Sequence, residues 1–129
     1  MTQQEKQLLT IEICTRLPYG VTVKCLIDDE DFIEEEGSEF DICGYDGIDF
    51  INENALELRV DVIRPYLRSL SSMTEEERKY YNALVQSVRD GETYEYEVVD
   101  WLNENDFDYR GLIEKDLAFE MPKSMYKTK

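Results

Sequence analysis

The sequence predicts an α+β fold: an N-terminal helix, an antiparallel β-meander of three to five strands, and C-terminal helices packed on one sheet face. Two observations carry this. Apolar residues recur every three or four positions before Pro18 and after Thr74, but every second position between Val21 and Val62. Turn formers also fall where the period changes, at Pro18-Tyr19-Gly20 and Pro65, and between two strands at Asp46-Gly47. With 129 residues, a single domain spanning 1–129 is expected.

Thr2-Gln3-Gln4-Glu5 has the capping-box form, and Leu9, Ile13 and Leu17 follow four apart, predicting a helix that ends at Pro18. Leu9, Ile11 and Ile13 also alternate, so a strand is the competing assignment. Val21, Val23, Cys25 and Ile27 then alternate with Thr22, Lys24 and Leu26 on a first strand. Phe40 and Ile42 mark a second strand, Ile48 and Phe50 a third, and Asp46-Gly47 between them predicts a two-residue hairpin, because both tolerate positive φ. Leu56, Leu58, Val60 and Val62 form the longest alternation, with Pro65 expected to end it. Phe32-Ile33 suits a short extra edge strand.

Thr74-Glu75-Glu76-Glu77 is a second capping box, with three acids beside the positive end of the helix dipole. Tyr81, Leu84, Val85 and Val88 form the apolar stripe of that helix, which should reach about Asp90 and stop at Gly91. A further helix carries Tyr94, Val98, Trp101 and Leu102, and Asn103–Asp108 interrupts it. Leu112, Ile113, Leu117 and Phe119 read as a short helical or turn segment before Pro122 and a basic tail.

The charge is concentrated. Between Lys24 and Arg59 lie thirteen carboxylates and no base, and between Arg89 and Arg110 a further eight. These windows hold 21 of the 30 acids in a chain of net charge -16. Such a field repels nucleic acid and anionic lipid and attracts basic surfaces. Nine Tyr, five Phe and one Trp argue against a disordered acidic tail. No run approaches the roughly 18 apolar residues of a membrane span. No charged-then-apolar signal opens the chain, so a soluble cytoplasmic protein with reduced cysteines is expected, Cys14, Cys25 and Cys43 acting as small buried hydrophobes.

The absence of histidine excludes His-dependent triads and His-ligated zinc, and three scattered cysteines cannot make a four-thiolate site. Gly44-Tyr45-Asp46-Gly47 lacks the Lys and Ser/Thr of a phosphate-cradling loop. A calcium-loop pattern starting at Asp106 finds Asp108 and Gly111 in place but Arg110 at a ligand position and Leu117 instead of the terminal Glu. No cofactor, no structural metal and no enzymatic activity are expected.

If the alternating apolar residues face inward, the strand period sends Glu39, Asp41, Asp49, Glu57 and Asp61 outward together, with Arg59 the one base among them. Asp28, Asp29 and Asp31 extend the acidic set. Carboxylate rows about 7 Å apart along a strand imitate the charge density of a nucleic-acid backbone. The plainer alternative is a solvated sheet face serving solubility. Arg64-Pro65-Tyr66-Leu67-Arg68 is the one basic and aromatic island, read as a strand end with its arginines paired to nearby acids.

Three segments carry a resemblance: Leu17-Pro18-Tyr19-Gly20 before a strand, the run RPYLRSLSSMTEEE from Arg64 to Glu77, and FDYRGLIEKDLAFEMPKSMY within Asp100–Tyr126. Together they resemble small uncharacterised proteins encoded by bacteriophages, prophages and other mobile elements of anaerobic gut bacteria. The resemblance covers both ends of the chain and not its acidic middle. A Gly commonly follows Glu-Lys in the relatives, where this chain has Asp116, a residue that tolerates the left-handed turn better than most. No activity comes with this resemblance, and no site residue transfers. It implies a setting, the cytoplasm of an infected or lysogenic bacterium. The function expected is that of an acidic module binding a basic host or phage protein, with a nucleic-acid mimic as one form of it. The alternative is an accessory component of a phage or mobile-element complex.

Overall fold

A capping box opens the first helix as its sequence requires. In the computed structural model, which describes residues 1–26 and 37–126, α1 spans Gln3–Arg16. Thr2 Oγ1 accepts from the Glu5 amide (3.0 Å) and Glu5 Oε1 accepts from the Thr2 amide (2.8 Å). Leu9 and Ile13 are fully buried, four residues apart, and the competing strand does not form. Pro18 tightens the chain into a single 3₁₀ turn, and Gly20 (φ +88°) turns it into the sheet.

The strands are β1 (Val21–Cys25), β2 (Glu39–Tyr45), β3 (Phe50–Asn52), β4 (Glu57–Leu58), β5 (Ile63–Leu67) and β6 (Phe119–Glu120). They form one sheet in the order β4-β3-β2-β1-β5-β6. The first four make an antiparallel meander; β5 then returns to the far side of β1, antiparallel to it, and β6 joins β5 in parallel. The sheet is therefore mixed and six-stranded, where an all-antiparallel one of three to five was expected. β6 escapes sequence reading because two residues are too few to show a period.

Three local expectations are corrected. The β2–β3 connection is four residues long, not two, because the Asp46 carboxylate closes it by accepting from the Ile48 and Asp49 amides, both at 2.8 Å. Ile48 is thereby thrown outward, 79% exposed, instead of opening a strand. The 56–62 alternation holds for only two strand residues, since Val60–Val62 is a 3₁₀ turn that carries the chain from the sheet's edge back beneath α1. Finally, Pro65 does not end a strand but lies within β5, level with Val23. β6 pairs only with Tyr66 and Leu67, so at 65 the strand still has an open side, where a missing N–H is tolerated. The proposed Phe32-Ile33 strand lies outside the described residues.

The main core lies on one face of the sheet. Val21, Val23, Phe40, Ile42, Phe50, Leu58 and Ile63 meet Leu9 and Ile13 of α1 and, from the chain's last third, Leu112, Leu117 and Ala118. The later helices α2 (Glu75–Arg89) and α3 (Glu95–Glu104) contribute nothing to this cluster, contrary to the expectation that they cover the sheet. They close a second cluster of Trp101, Leu102 and Phe107, edged by Met73, Tyr81, Leu84 and Val98. The predicted stripe of α2 is accordingly half-buried, while the residue of α2 that is buried is Glu77.

The α2 bounds follow the sequence. Thr74 Oγ1 accepts from the Glu77 amide (3.1 Å), and Gly91 takes positive φ (+76°) past the Asp90 cap. Asp116 does adopt the left-handed conformation, φ +60°. Asp108, one of the would-be calcium ligands, instead accepts from the Leu112 (2.8 Å) and Ile113 (2.9 Å) amides and caps a local turn. No described helix is long and apolar enough to cross a membrane.

Candidate acidic interaction surface

The face of the sheet turned away from α1 carries the residues that alternate with the core. On β2, Phe40 and Ile42 point inward and Glu39, Asp41 and Cys43 outward, all three exposed. Glu57 is exposed on β4, beside the half-buried Ile51 of β3. Glu53, just past β3, reaches back so that its Oε2 accepts from the Asp41 amide (2.8 Å). β2 and β4, with Glu53 just past β3, supply four acids to this region and no base.

The neighbouring strands differ. The register sets Lys24 beside Glu39 and Thr22 beside Asp41, and Thr22 Oγ1 donates to Asp41 Oδ1 at 2.8 Å. Lys24 Nζ stands 5.2 Å from the Phe119 ring centroid, and Tyr66 packs on the same ring at 5.9 Å. The Tyr66 hydroxyl is bonded to Glu39; burial first, then that bond and the Glu39 charge, push its pKa above the ordinary phenol range. The outer face is thus divided into an acidic half on β2–β4 and a cationic, aromatic half on β1, β5 and β6. Asp41 stands at the boundary. There it lines a cleft of about 300 Å³ with Thr22, Asp106, Met121 and Met125.

Of the eight acids the sequence nominated, Glu39, Asp41 and Glu57 lie on this face. Asp49 does not: it is half-buried in the β2–β3 loop. Asp61 sits in the 3₁₀ turn, its Oδ1 3.6 Å from Arg59 Nε. Both were placed by extending a period of two through segments that turn out not to be strand. Asp28, Asp29 and Asp31 lie outside the described residues.

The basic and aromatic island is internal. Arg68 is 3% exposed, donates to both oxygens of Glu77 (2.9 and 2.8 Å) and lies over the rings of Phe107 (4.4 Å) and Tyr126 (3.9 Å). Arg68 is thus paired to an acid as expected, whereas Arg64 is half-buried and donates to the Ile63 (2.7 Å) and Asp61 (3.4 Å) carbonyls instead. Sequence reasoning missed a second charged cluster. Glu12 and Arg16, both fully buried, form an ion pair, and Arg110 Nη1 reaches the other Glu12 oxygen at 3.0 Å. The signal was available, since positions 12 and 16 share the helical face of Leu9 and Ile13.

Cys25 is buried, Cys14 half-buried and Cys43 exposed, so the last departs from the expectation of a small buried hydrophobe. Among the described residues no group of three His, Cys, Asp or Glu side chains is disposed to hold a metal ion. Comparison with protein-family models, curated proteins and solved structures finds no match.

Proposed function

We propose that this protein is a non-enzymatic binding module whose acidic half-face, centred on Glu39, Asp41, Glu53 and Glu57, engages a basic protein surface. The observation that carries this reading is the three-strand region in which every charged side chain is a carboxylate. Same-face residues stand about 7 Å apart along a strand and adjacent strands about 4.8 Å apart, close enough for several carboxylates to act on one Arg or Lys cluster. The cleft beside Asp41 offers one such side chain an oxygen-lined recess with two thioether walls. A net charge of -16 steers such a partner over a distance and makes association fast and salt-sensitive. On the resemblance noted above, the setting is the cytoplasm of a phage-bearing bacterium. The partner there is a basic host or phage protein whose nucleic-acid groove the module occupies.

The test is a pull-down of basic partners from such a host, followed by kinetics with the triple variant E39K/D41K/E57K. The variant is expected to keep its fold and lose on-rate about tenfold or more, with duplex DNA competing for the same partner. Unchanged association together with no DNA competition would sink the reading. A second reading, an accessory component of a phage or mobile-element complex, is favoured by exposed apolar side chains away from this face, Ile11 and Ile48 among them.

A further inference from the structure

Ile48 is the most exposed of the large apolar side chains among the described residues, at 79%, and its position is held rather than loose. Gly47 takes positive φ (+99°), and the Asp46 carboxylate accepts from the amides on both sides of the Ile48 side chain. Those two bonds, from the Asp49 and Ile48 amides, lower the Asp46 pKa from its ordinary value. An ordered turn therefore presents an isoleucine to water, forgoing the hydrophobic free energy that its burial would supply.

Beside it runs a groove of about 380 Å³ between α1 and the hairpin, lined by Lys6, Thr10 and Ile11 on one side and Tyr45 and Ile48 on the other, with Val60 at its base. Ile11 is 52% exposed. The Thr10 hydroxyl is turned back to the Lys6 carbonyl (2.7 Å). A β-bulge between Ile42 and Gly44 brings Tyr45 round to pack against Phe50, ring centroids 4.6 Å apart and the rings tilted by 33°, so that it walls this groove instead of the acidic face. None of the lining residues is a carboxylate, in a chain where 30 of 129 residues are.

We propose that this groove is the contact by which two copies of the chain form a dimer. The occupant is identified by shape and by charge. The patch carries both a projecting side chain, Ile48, and a recess beside it, so it can pair with itself across a two-fold axis, as an isologous interface must. Ile48 of each copy then packs against Ile11 and Tyr45 of the other. Two molecules of charge -16 repel, and contact through the sheet's outer face would set carboxylate against carboxylate. The groove brings no acid from its lining into the contact.

Sedimentation of the full chain separates this from other occupants. At physiological salt the mass should be twice 15.3 kDa. Raising salt from roughly 0.02 to 0.15 M should tighten the dimer, because the screened term is repulsion. I48D and I11D, both at exposed positions and expected to retain the wild-type circular dichroism, should each weaken it about tenfold or more. E39K/D41K/E57K should not weaken it. A chain that stays monomeric at about 100 µM, far above the Kd of an ordinary stable interface, overturns the proposal. So does a dimer that dissociates as salt rises, that both isoleucine variants leave intact, or that the acidic-face variant breaks. Partner binding weakens with salt, whereas dimerisation strengthens, so failure here is distinguishable from failure of the acidic-face reading.

Discussion

Glu77 does two things at once. Its Oε1 accepts from the Thr74 amide (2.9 Å), closing the capping box of α2, and both its oxygens accept from Arg68. The Arg68 hydrogen bonds, against a desolvation that opposes them, hold its pKa down at about 2 from an ordinary 4.5. A depressed carboxylate adds stability that is present above its unfolded pKa and lost as pH falls through its folded one. Glu77 should thus contribute about 3 kcal/mol at neutral pH, and this should disappear between pH 4.5 and about 2. E77Q is expected to be less stable than wild type at pH 7 by about that amount or somewhat more, the buried Arg68 having lost its counter-charge. Denaturant titrations should show the gap closing in acid; a gap independent of pH would remove the ion pair from the account. T74A should cost about 1 kcal/mol through the lost cap. Glu12 lies deeper, between Arg16 and Arg110, and E12Q would strand two arginines, one of them fully buried. A loss of about 3–5 kcal/mol is expected in the same titrations.

Among the elements, α2 and α3 stand apart from the sheet. They pack on each other around Trp101 and share no buried residue with the cluster beneath α1. Arg68, just past β5, links them to the sheet, with its amide on Asp106 O (2.7 Å) and its guanidinium on Glu77, while α3 also touches α1. Elements with little buried apolar surface open at lower free energy than a core. Amide exchange should be faster in α2 and α3 than in β1 and β5. R68M should widen that difference by releasing the α2 N-terminus while leaving β1–β4 protected. Uniform exchange across helices and sheet would show that the two clusters unfold as one.

Across the whole molecule, the net charge of -16 sets opposite salt responses for folding and for binding. Like charges spread over one surface repel, and screening over a Debye length of about 8 Å at physiological ionic strength relieves them. The melting temperature should rise as salt goes from roughly 0.01 to 0.15 M, while affinity for a basic partner falls over the same range. A melting temperature that falls instead would mean that attractive pairs such as Arg68–Glu77 dominate the electrostatics of folding.

The parts of this fold that were legible in the sequence are those fixed by neighbours a few residues away. The two capping boxes, the positive φ of Gly91 and Asp116, and the inward–outward alternation of β1 and β2 depend on contacts within one turn or on strand geometry alone. Glu39, Asp41 and Glu57 were placed by that alternation and stand on the expected face. Periodicity could not reveal where it stops meaning strand. Val60 and Val62 alternate like β residues, yet the chain must there cross from β4 to the far side of β1, and a 3₁₀ turn makes the crossing. That choice removed Asp61 from the acidic face, just as the Asp46 clasp removed Asp49 and exposed Ile48. The parallel pairing of β6 and the meeting of Glu12 with Arg110, 98 residues away in sequence, are likewise tertiary decisions. They arise because a buried charge or an open strand edge must find a partner wherever the folded chain brings one, and no local pattern records its address.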